Sequence, residues 1–238
     1  MLLQAERFFV QPFIMKKISI YFLLLLLFSF LSCGGPEKEK QAPGAKKEEP
    51  AQGKKKNIIF FGDSLTAGYG LEDPSLAFPA LIQKKLDSLG LNYQAVNAGV
   101  SGETSSGGLG RIDWILKQPV DIFILELGAN DGLRGISPEE TEKNLQTIID
   151  RVKAANPSVS IIVAGMMVPP NMGQQYSEKF SSIFQKISKE NNAALIPFLL
   201  EGVGGEADLN QADGIHPTPE GHVIVAETVW KKLQGIVI

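Results

Sequence analysis

The chain has one cysteine, Cys33, two histidines, His216 and His222, and two tryptophans in 238 residues. A single thiol excludes a disulfide framework within the chain. Two imidazoles exclude a His-rich metal site, so any imidazole chemistry must use one of the two. No metal and no cofactor is implied by what remains. Basic charge is short where nucleic acid would need it. From Asn57 onward there are 13 Lys+Arg against 21 Asp+Glu, a net of −8, whereas phosphate recognition requires a basic face. The phosphate-binding pattern G-x-x-x-x-G-K-[ST] is missing, and Gly68-Tyr69-Gly70 is followed by Asp73 where a dinucleotide fingerprint needs Gly. A non-enzymatic nucleotide- or flavin-binding module is therefore disfavoured.

Long hydrophobic runs are confined to one place. Met15-Lys16-Lys17 precedes the apolar stretch Ile18–Leu31, which includes five consecutive Leu. A short basic start followed by such a run is an export signal, too short for a comfortable membrane span. Met15 is its natural start. The run closes on Leu31-Ser32-Cys33-Gly34, which resembles a bacterial lipoprotein signal, with Phe30 where that pattern favours Leu. The resemblance implies a lipid anchor at Cys33, the first mature residue, on the periplasmic side of a membrane. Gly34 in place of Asp after the cysteine points to the outer membrane. Residues 34–56 are rich in Lys, Glu, Pro, Gln, Gly and Ala, without one large apolar side chain. Such a segment cannot bury a core and is expected to be a disordered polar tether.

Asn57–Ile238 has the length of one ordinary domain. Ile58–Phe61 is an uninterrupted apolar run cut off by Gly62, the pattern of a strand buried on both faces. Further strands are expected at Tyr93–Asn97, Val120–Leu127, Val159–Ala164 and Ala193–Pro197. Helical spacing predicts helices over Ser75–Leu89, Thr104–Leu116, Pro138–Ala155, Tyr176–Glu190 and Pro219–Leu233. Strands alternating with helices give an α/β domain: three α/β/α layers around a parallel five-stranded sheet, flavodoxin-like. Trp114 is expected in the core, and His222 is expected to lie unpaired inside the last helix.

In such a sheet the carboxyl ends of all strands share one edge, where ligands bind. Ser64 follows the first strand, Gly99 the second, Asn130 the third, an apolar Met166–Met172 loop the fourth, and Asp213 and His216 the fifth. A serine needs a base at neutral pH. His216, three residues from Asp213, can present one ring nitrogen to the carboxylate and the other to Ser64. The N–H groups of Ser64 and Gly99 and the amide of Asn130 are three candidate oxyanion donors. Asp63 is expected to order the turn around Ser64, and Asp131 and Arg134 the loop around Asn130.

The blocks Gly62-Asp63-Ser64-Leu65, Asn97-Ala98-Gly99-Val100-Ser101-Gly102-Glu103-Thr104, Gly128-Ala129-Asn130-Asp131 and Asp213-Gly214-Ile215-His216-Pro217 together resemble the SGNH, or GDSL, hydrolase superfamily. They are most similar to its bacterial arylesterase, thioesterase and lysophospholipase subgroup. The resemblance implies a serine esterase acting on acyl or aryl esters, or on thioesters or lysophospholipids, through an acyl-enzyme. The substrate partner is then a small ester or lipid-like molecule. A carbohydrate acetyl esterase is the alternative within the same superfamily. Met166, Met167, Pro169 and Pro170, with Leu109 and Leu71, are expected to wall an acyl or aryl pocket, since Met adapts to varied shapes.

Overall fold

A computed structural model describes residues 53–238. The export segment, Cys33 and the polar tail as far as residue 52 lie outside the described residues. Among the described residues no helix is long and apolar enough to cross a membrane.

The chain runs β1 (Lys56–Gly62), α1 (Ser64–Ala67), α2 (Phe78–Ser88), β2 (Tyr93–Gly99), α3 (Ser105–Ile115), β3 (Ile122–Glu126), α4 (Ala129–Leu133), α5 (Pro138–Ala155), β4 (Ser160–Ala164), α6 (Gln174–Asn191), β5 (Ala194–Ile196) and α7 (Pro219–Val237). All strands pair in parallel, in the order β2-β1-β3-β4-β5. That is the flavodoxin-like order, with its switch point between β1 and β3. Helices α2 and α7 pack together, as do α3, α5 and α6, so the sheet is sandwiched between two helical layers.

The central strands are the most apolar for a physical reason. Every residue from Ile58 to Phe61 is fully enclosed, and Ile122–Leu125 nearly so, because helices cover both faces of the sheet. Phe61 packs on Phe123 at 5.4 Å between ring centroids, and Phe60 meets Phe78 of α2 edge-on at 5.7 Å. Helix starts follow their caps. Ser137 Oγ accepts from Glu140 N at 3.2 Å ahead of α5, and Thr218 Oγ1 accepts from Gly221 N at 3.2 Å ahead of α7. Each such cap contributes about 1 kcal/mol.

Two expectations are corrected here. Trp114 is not core: it lies on the outer face of α3 with 68% of its surface exposed. His222 is not unpaired. It is buried, and its Nδ1 accepts the N–H of Phe78 at 3.3 Å. Ala77, at the N-cap of α2, has no side-chain oxygen for the helix, so the ring of His222 supplies an acceptor for one of the open first-turn donors. Phe78 and His222 also stack, 6.2 Å between centroids. Burial drives the His222 pKa down to about 4, which keeps the ring a neutral acceptor.

Candidate active site

The chain leaves β1 at Gly62 and enters α1 at once, so Ser64 is the first helical residue. Asp63 is the N-cap: its Oδ1 accepts from Leu65 N at 3.0 Å. First-turn N–H groups of a helix have no partner within it, and Ser64 N–H meets no acceptor among the described residues. The side chain of Ser64 is almost buried, at 9% exposure.

His216 comes from the loop between β5 and α7. Its Nε2 stands 2.9 Å from Ser64 Oγ, and its Nδ1 stands 2.7 Å from Asp213 Oδ2. Asp213 Oδ1 meanwhile accepts from Ile215 N at 2.9 Å and His216 N at 3.0 Å. The hydrogen bond from the imidazole, followed by those two backbone donors, holds the Asp213 pKa down to about 2. The carboxylate is therefore ionised at any working pH.

A residue overlooked in the sequence closes this loop. Gln211 N donates to His216 O at 2.7 Å. Gln211 Nε2 donates to Pro217 O at 3.0 Å and to Tyr69 O at 2.7 Å. One amide thus ties the histidine loop to the segment after α1. The Tyr69 ring in turn lies against that of His216, 4.6 Å between centroids. Tyr69 sits within the G-D-S-L-T-A-G-Y-G stretch, but nothing local to it signals a partner on a distant loop.

Asn130 is the second residue of α4, and its Nδ2 donates to Asp63 Oδ2 at 3.0 Å. The neighbouring Asp131 is buried and serves packing. It accepts from Ser105 N at 2.7 Å, from Ser105 Oγ at 2.5 Å and from Thr141 Oγ1 at 3.2 Å, and so ties α4 to α3 and α5. Arg134 Nη2 donates to Gly102 O at 2.8 Å.

Gly99 does not join the other expected oxyanion donors. Its N–H is taken by Asn97 Oδ1 at 3.0 Å, while Asn97 Nδ2 donates to Thr66 O at 2.8 Å. Neither Gly99 nor Gly102 is among the residues lining the cavity beside Ser64. In the same loop Gly102 has φ +78 and an N–H with no acceptor among the described residues.

Ser64, Asn130 and His216 open into one cavity of about 590 Å³. Met166, Met167, Val168 and Pro169 form one wall, and Phe198, Leu200, Gly204 and Gly205 form a second that sequence reasoning missed. Leu133 and Ile215 complete the mouth. Pro170 opens the 3-10 turn Pro170–Met172. Leu109 does not reach the cavity: it is half-buried on α3 against the core, and Leu71 is not a lining residue either. Five large apolar side chains at this edge are substantially exposed, namely Tyr69, Val100, Leu133, Met167 and Ile215.

Fold and site together define a parallel-sheet α/β protein with a hydrogen-bonded serine, histidine and aspartate at the sheet's switch point. Residues 60–224 match the GDSL-like lipase/acylhydrolase family, and the chain belongs to that family, as its four sequence blocks implied. It is 39% identical over 180 residues to esterase TesA of Pseudomonas aeruginosa, covering 75% of this chain and 88% of that one. It is 41% identical over 181 residues to thioesterase 1/protease 1/lysophospholipase L1 of Escherichia coli, covering 76% and 84%. Among solved structures, the psychrotrophic esterase EstA from Pseudoalteromonas sp., inhibited by monoethylphosphonate, is 34% identical with a TM-score of 0.71. That match covers 76% of this chain and 97% of EstA.

Proposed function

We propose that the chain hydrolyses acyl and aryl carboxylic esters, with Ser64 as nucleophile, His216 as base and Asp213 as its orienting carboxylate. The observation that carries this is the continuous relay of 2.9 Å and 2.7 Å from Ser64 Oγ through the imidazole to Asp213. With Nδ1–H donated to Asp213, Nε2 is the free acceptor and takes the serine proton as Oγ attacks the ester carbonyl. The same proton passes to the departing alcohol. Water then repeats the sequence on the acyl-enzyme. Charge on the tetrahedral oxygen is met by the N–H of Ser64 and the amide of Asn130. The third donor we assign to Gly102 in place of Gly99, because Gly102 N–H is unbonded and Gly99 N–H is not.

The cavity wall of Met, Val, Pro, Phe and Leu suits an acyl chain or an aryl group. An acetylated sugar would leave that wall uncovered and find few partners for its hydroxyls, which disfavours the carbohydrate alternative. The exposed apolar rim around the mouth fits an amphiphilic ester, and with Cys33 read as a lipid anchor the enzyme works on the periplasmic side of the membrane it is tethered to. The test is Ser64→Ala on short p-nitrophenyl esters, with phosphonate labelling followed by peptide mapping. The expected result is loss of kcat by several orders of magnitude in a folded protein, with the label on Ser64 in the parent. Retained activity, or a label elsewhere, removes Ser64 from the mechanism.

A further inference from the structure

We propose that Asp63 is a positioning residue of the oxyanion hole, holding the Asn130 amide in its working orientation from a rigid seat that the buried Glu126 provides. The inference rests on the proposed esterase reading. Asp63 does not touch the relay; it works through Asn130.

The two carboxylate oxygens of Asp63 have separate tasks. Oδ1 accepts Leu65 N–H at 3.0 Å and so fixes the first turn of α1, which carries Ser64. Oδ2 accepts Asn130 Nδ2 at 3.0 Å. An amide NH2 has two hydrogens. Binding one of them to Oδ2 sets the plane of the group and leaves the second for the substrate oxygen. A fixed donor of this kind is the form in which hydrogen bonds lower a barrier, because no reorganisation remains at the moment of reaction. The same contact settles which end of Asn130 is nitrogen, since Oδ2 of a carboxylate can only accept.

The seat beneath is Glu126, the last residue of β3, at 1% exposure. Its Oε2 accepts Asp63 N–H at 3.1 Å and Thr66 Oγ1–H at 2.7 Å. It lies so close to Gly62 that a Cβ there would collide with Glu126 Oε2 and Thr66 Oγ1. The turn that carries Ser64 is therefore packed directly against a side chain from the neighbouring strand. Glu126 Oε1 is enclosed with no partner among the described residues. An enclosed carboxylate oxygen without donors favours the protonated acid, and burial, then the nearby Asp63, pushes Glu126 well above the usual carboxylate range. Burial thus works against a second full charge beside Asp63, while Glu126 Oε2 still accepts from the Asp63 backbone and from Thr66.

Burial also raises Asp63, to about 6, against the pull of Leu65 N–H and Asn130. The charged and titratable groups facing it are Glu126 from β3, His216 from the loop before α7, and Glu103, which is itself paired with Arg111. With Oδ1 held by Leu65, a proton on Asp63 goes to Oδ2, the atom Asn130 uses. Protonation of Asp63 therefore frees the amide.

The test is a double-mutant cycle in the full chain with Asp63→Asn and Asn130→Ala, read as kcat and KM on a short p-nitrophenyl ester. Asn at position 63 still caps α1 through Oδ1 but turns an NH2 toward the Asn130 amide. D63N should lower kcat by about 10²-fold, the effect of one lost oxyanion donor, with KM within about threefold and Tm unchanged or higher. In the N130A background D63N should cost less than about threefold, since its route of action is already gone. In the parent the acid limb of kcat should be steeper than in D63N, because protonation of Asp63 releases the Asn130 amide. Wild-type kcat in D63N, or losses in the double variant that multiply, would overturn the proposal. The esterase reading fails separately, through an active Ser64→Ala.

Discussion

Replacing Asp213 by Asn tests the relay at its most exposed member. In the parent Oδ1 is committed to two backbone donors, Ile215 N and His216 N, at 2.9 and 3.0 Å. The carbonyl oxygen of an asparagine must take that place, because its NH2 cannot accept. The NH2 then faces His216 Nδ1, where Oδ2 stood at 2.7 Å. Imidazole answers by accepting at Nδ1 and carrying its proton on Nε2, pointed at Ser64 Oγ. In that tautomer it cannot take the serine proton. The fold should be indifferent, since the Asp213 side chain is 39% exposed and its backbone bonds survive. We therefore expect kcat for a p-nitrophenyl ester to fall by about 10⁴, equivalent to about 5 kcal/mol of barrier. KM should stay within about twofold and thermal midpoints within a degree or two. Asp213→Ala, which leaves the tautomer free, should be no worse than the asparagine. A variant D213N that keeps a tenth of the parent kcat would refute the argument that tautomer control is what Asp213 supplies.

Gly102→Ala places a side chain at φ +78, at a strain of about 1 kcal/mol, and should lower kcat roughly tenfold by tilting the proposed donor N–H; an unchanged kcat would remove Gly102 from the oxyanion site. Phe198→Ala opens the far wall of the cavity and should raise the kcat/KM ratio of decanoyl over butyryl esters roughly tenfold, measured on a p-nitrophenyl series. His222 makes stability depend on pH. Its folded pKa of about 4 lies below the ordinary 6.5, so the unfolded chain binds the extra proton between those values. The contribution is whole above pH 6.5 and disappears as the pH falls to 4, roughly 3 kcal/mol at most. His222→Gln, which keeps an acceptor for Phe78 N–H, should flatten the decline of Tm between pH 7 and 5. Cys33→Ser should move the protein from the membrane fraction to the soluble exported fraction; continued membrane retention counts against lipidation.

Much of this was readable from the chain because strong local signals and the fold agreed. Ile58–Phe61 and Val120–Leu127 announce buried strands, and Ser64 and Asn130 follow closely on the ends of β1 and β3. The departures have identifiable causes. Helices α1 and α4 are four and five residues long, too short to show a helical period, yet they carry Ser64 and Asn130. Thr104 reads as the first residue of a helix and is its cap, with Oγ1 accepting from Gly107 N at 3.3 Å. His222 looks idle because its partner is 144 positions away. Trp114 is flanked by Ile112, Ile115 and Leu116 as well as by Asp113, and a rotation of about 100°, one residue's step, decides whether such a residue faces the sheet or solvent. Gly99 is well placed in sequence but its N–H is claimed by Asn97, a side-chain bond that spacing alone does not reveal. The Phe198–Gly205 wall was missed because it lacks the Met-Pro composition that marked its counterpart.

Two aspartates of this site show how environment divides labour between identical side chains. Asp213 is partly exposed and held by the imidazole and two backbone donors, which keeps it at about 2. In the proposed mechanism it therefore offers a permanent negative charge to an imidazolium that exists only during reaction. Asp63 is enclosed and raised to about 6, with both oxygens already engaged. It is too committed to act as a base toward Ser64, and its neighbour Glu126 is buried, with its engaged oxygen turned to Asp63 N–H and Thr66. Carboxylates pushed apart in this way are the usual basis for assigning distinct roles in one site. Here the division also explains a cost. Asp63 opposes folding increasingly as the pH rises from 3.8 to about 6, where the folded state holds a proton that the unfolded chain has released, and by its full amount above that. A fold that keeps such a group beside its nucleophile has traded stability for a fixed Asn130, and the trade is visible only if activity and thermal stability move in opposite directions when Asp63 becomes Asn.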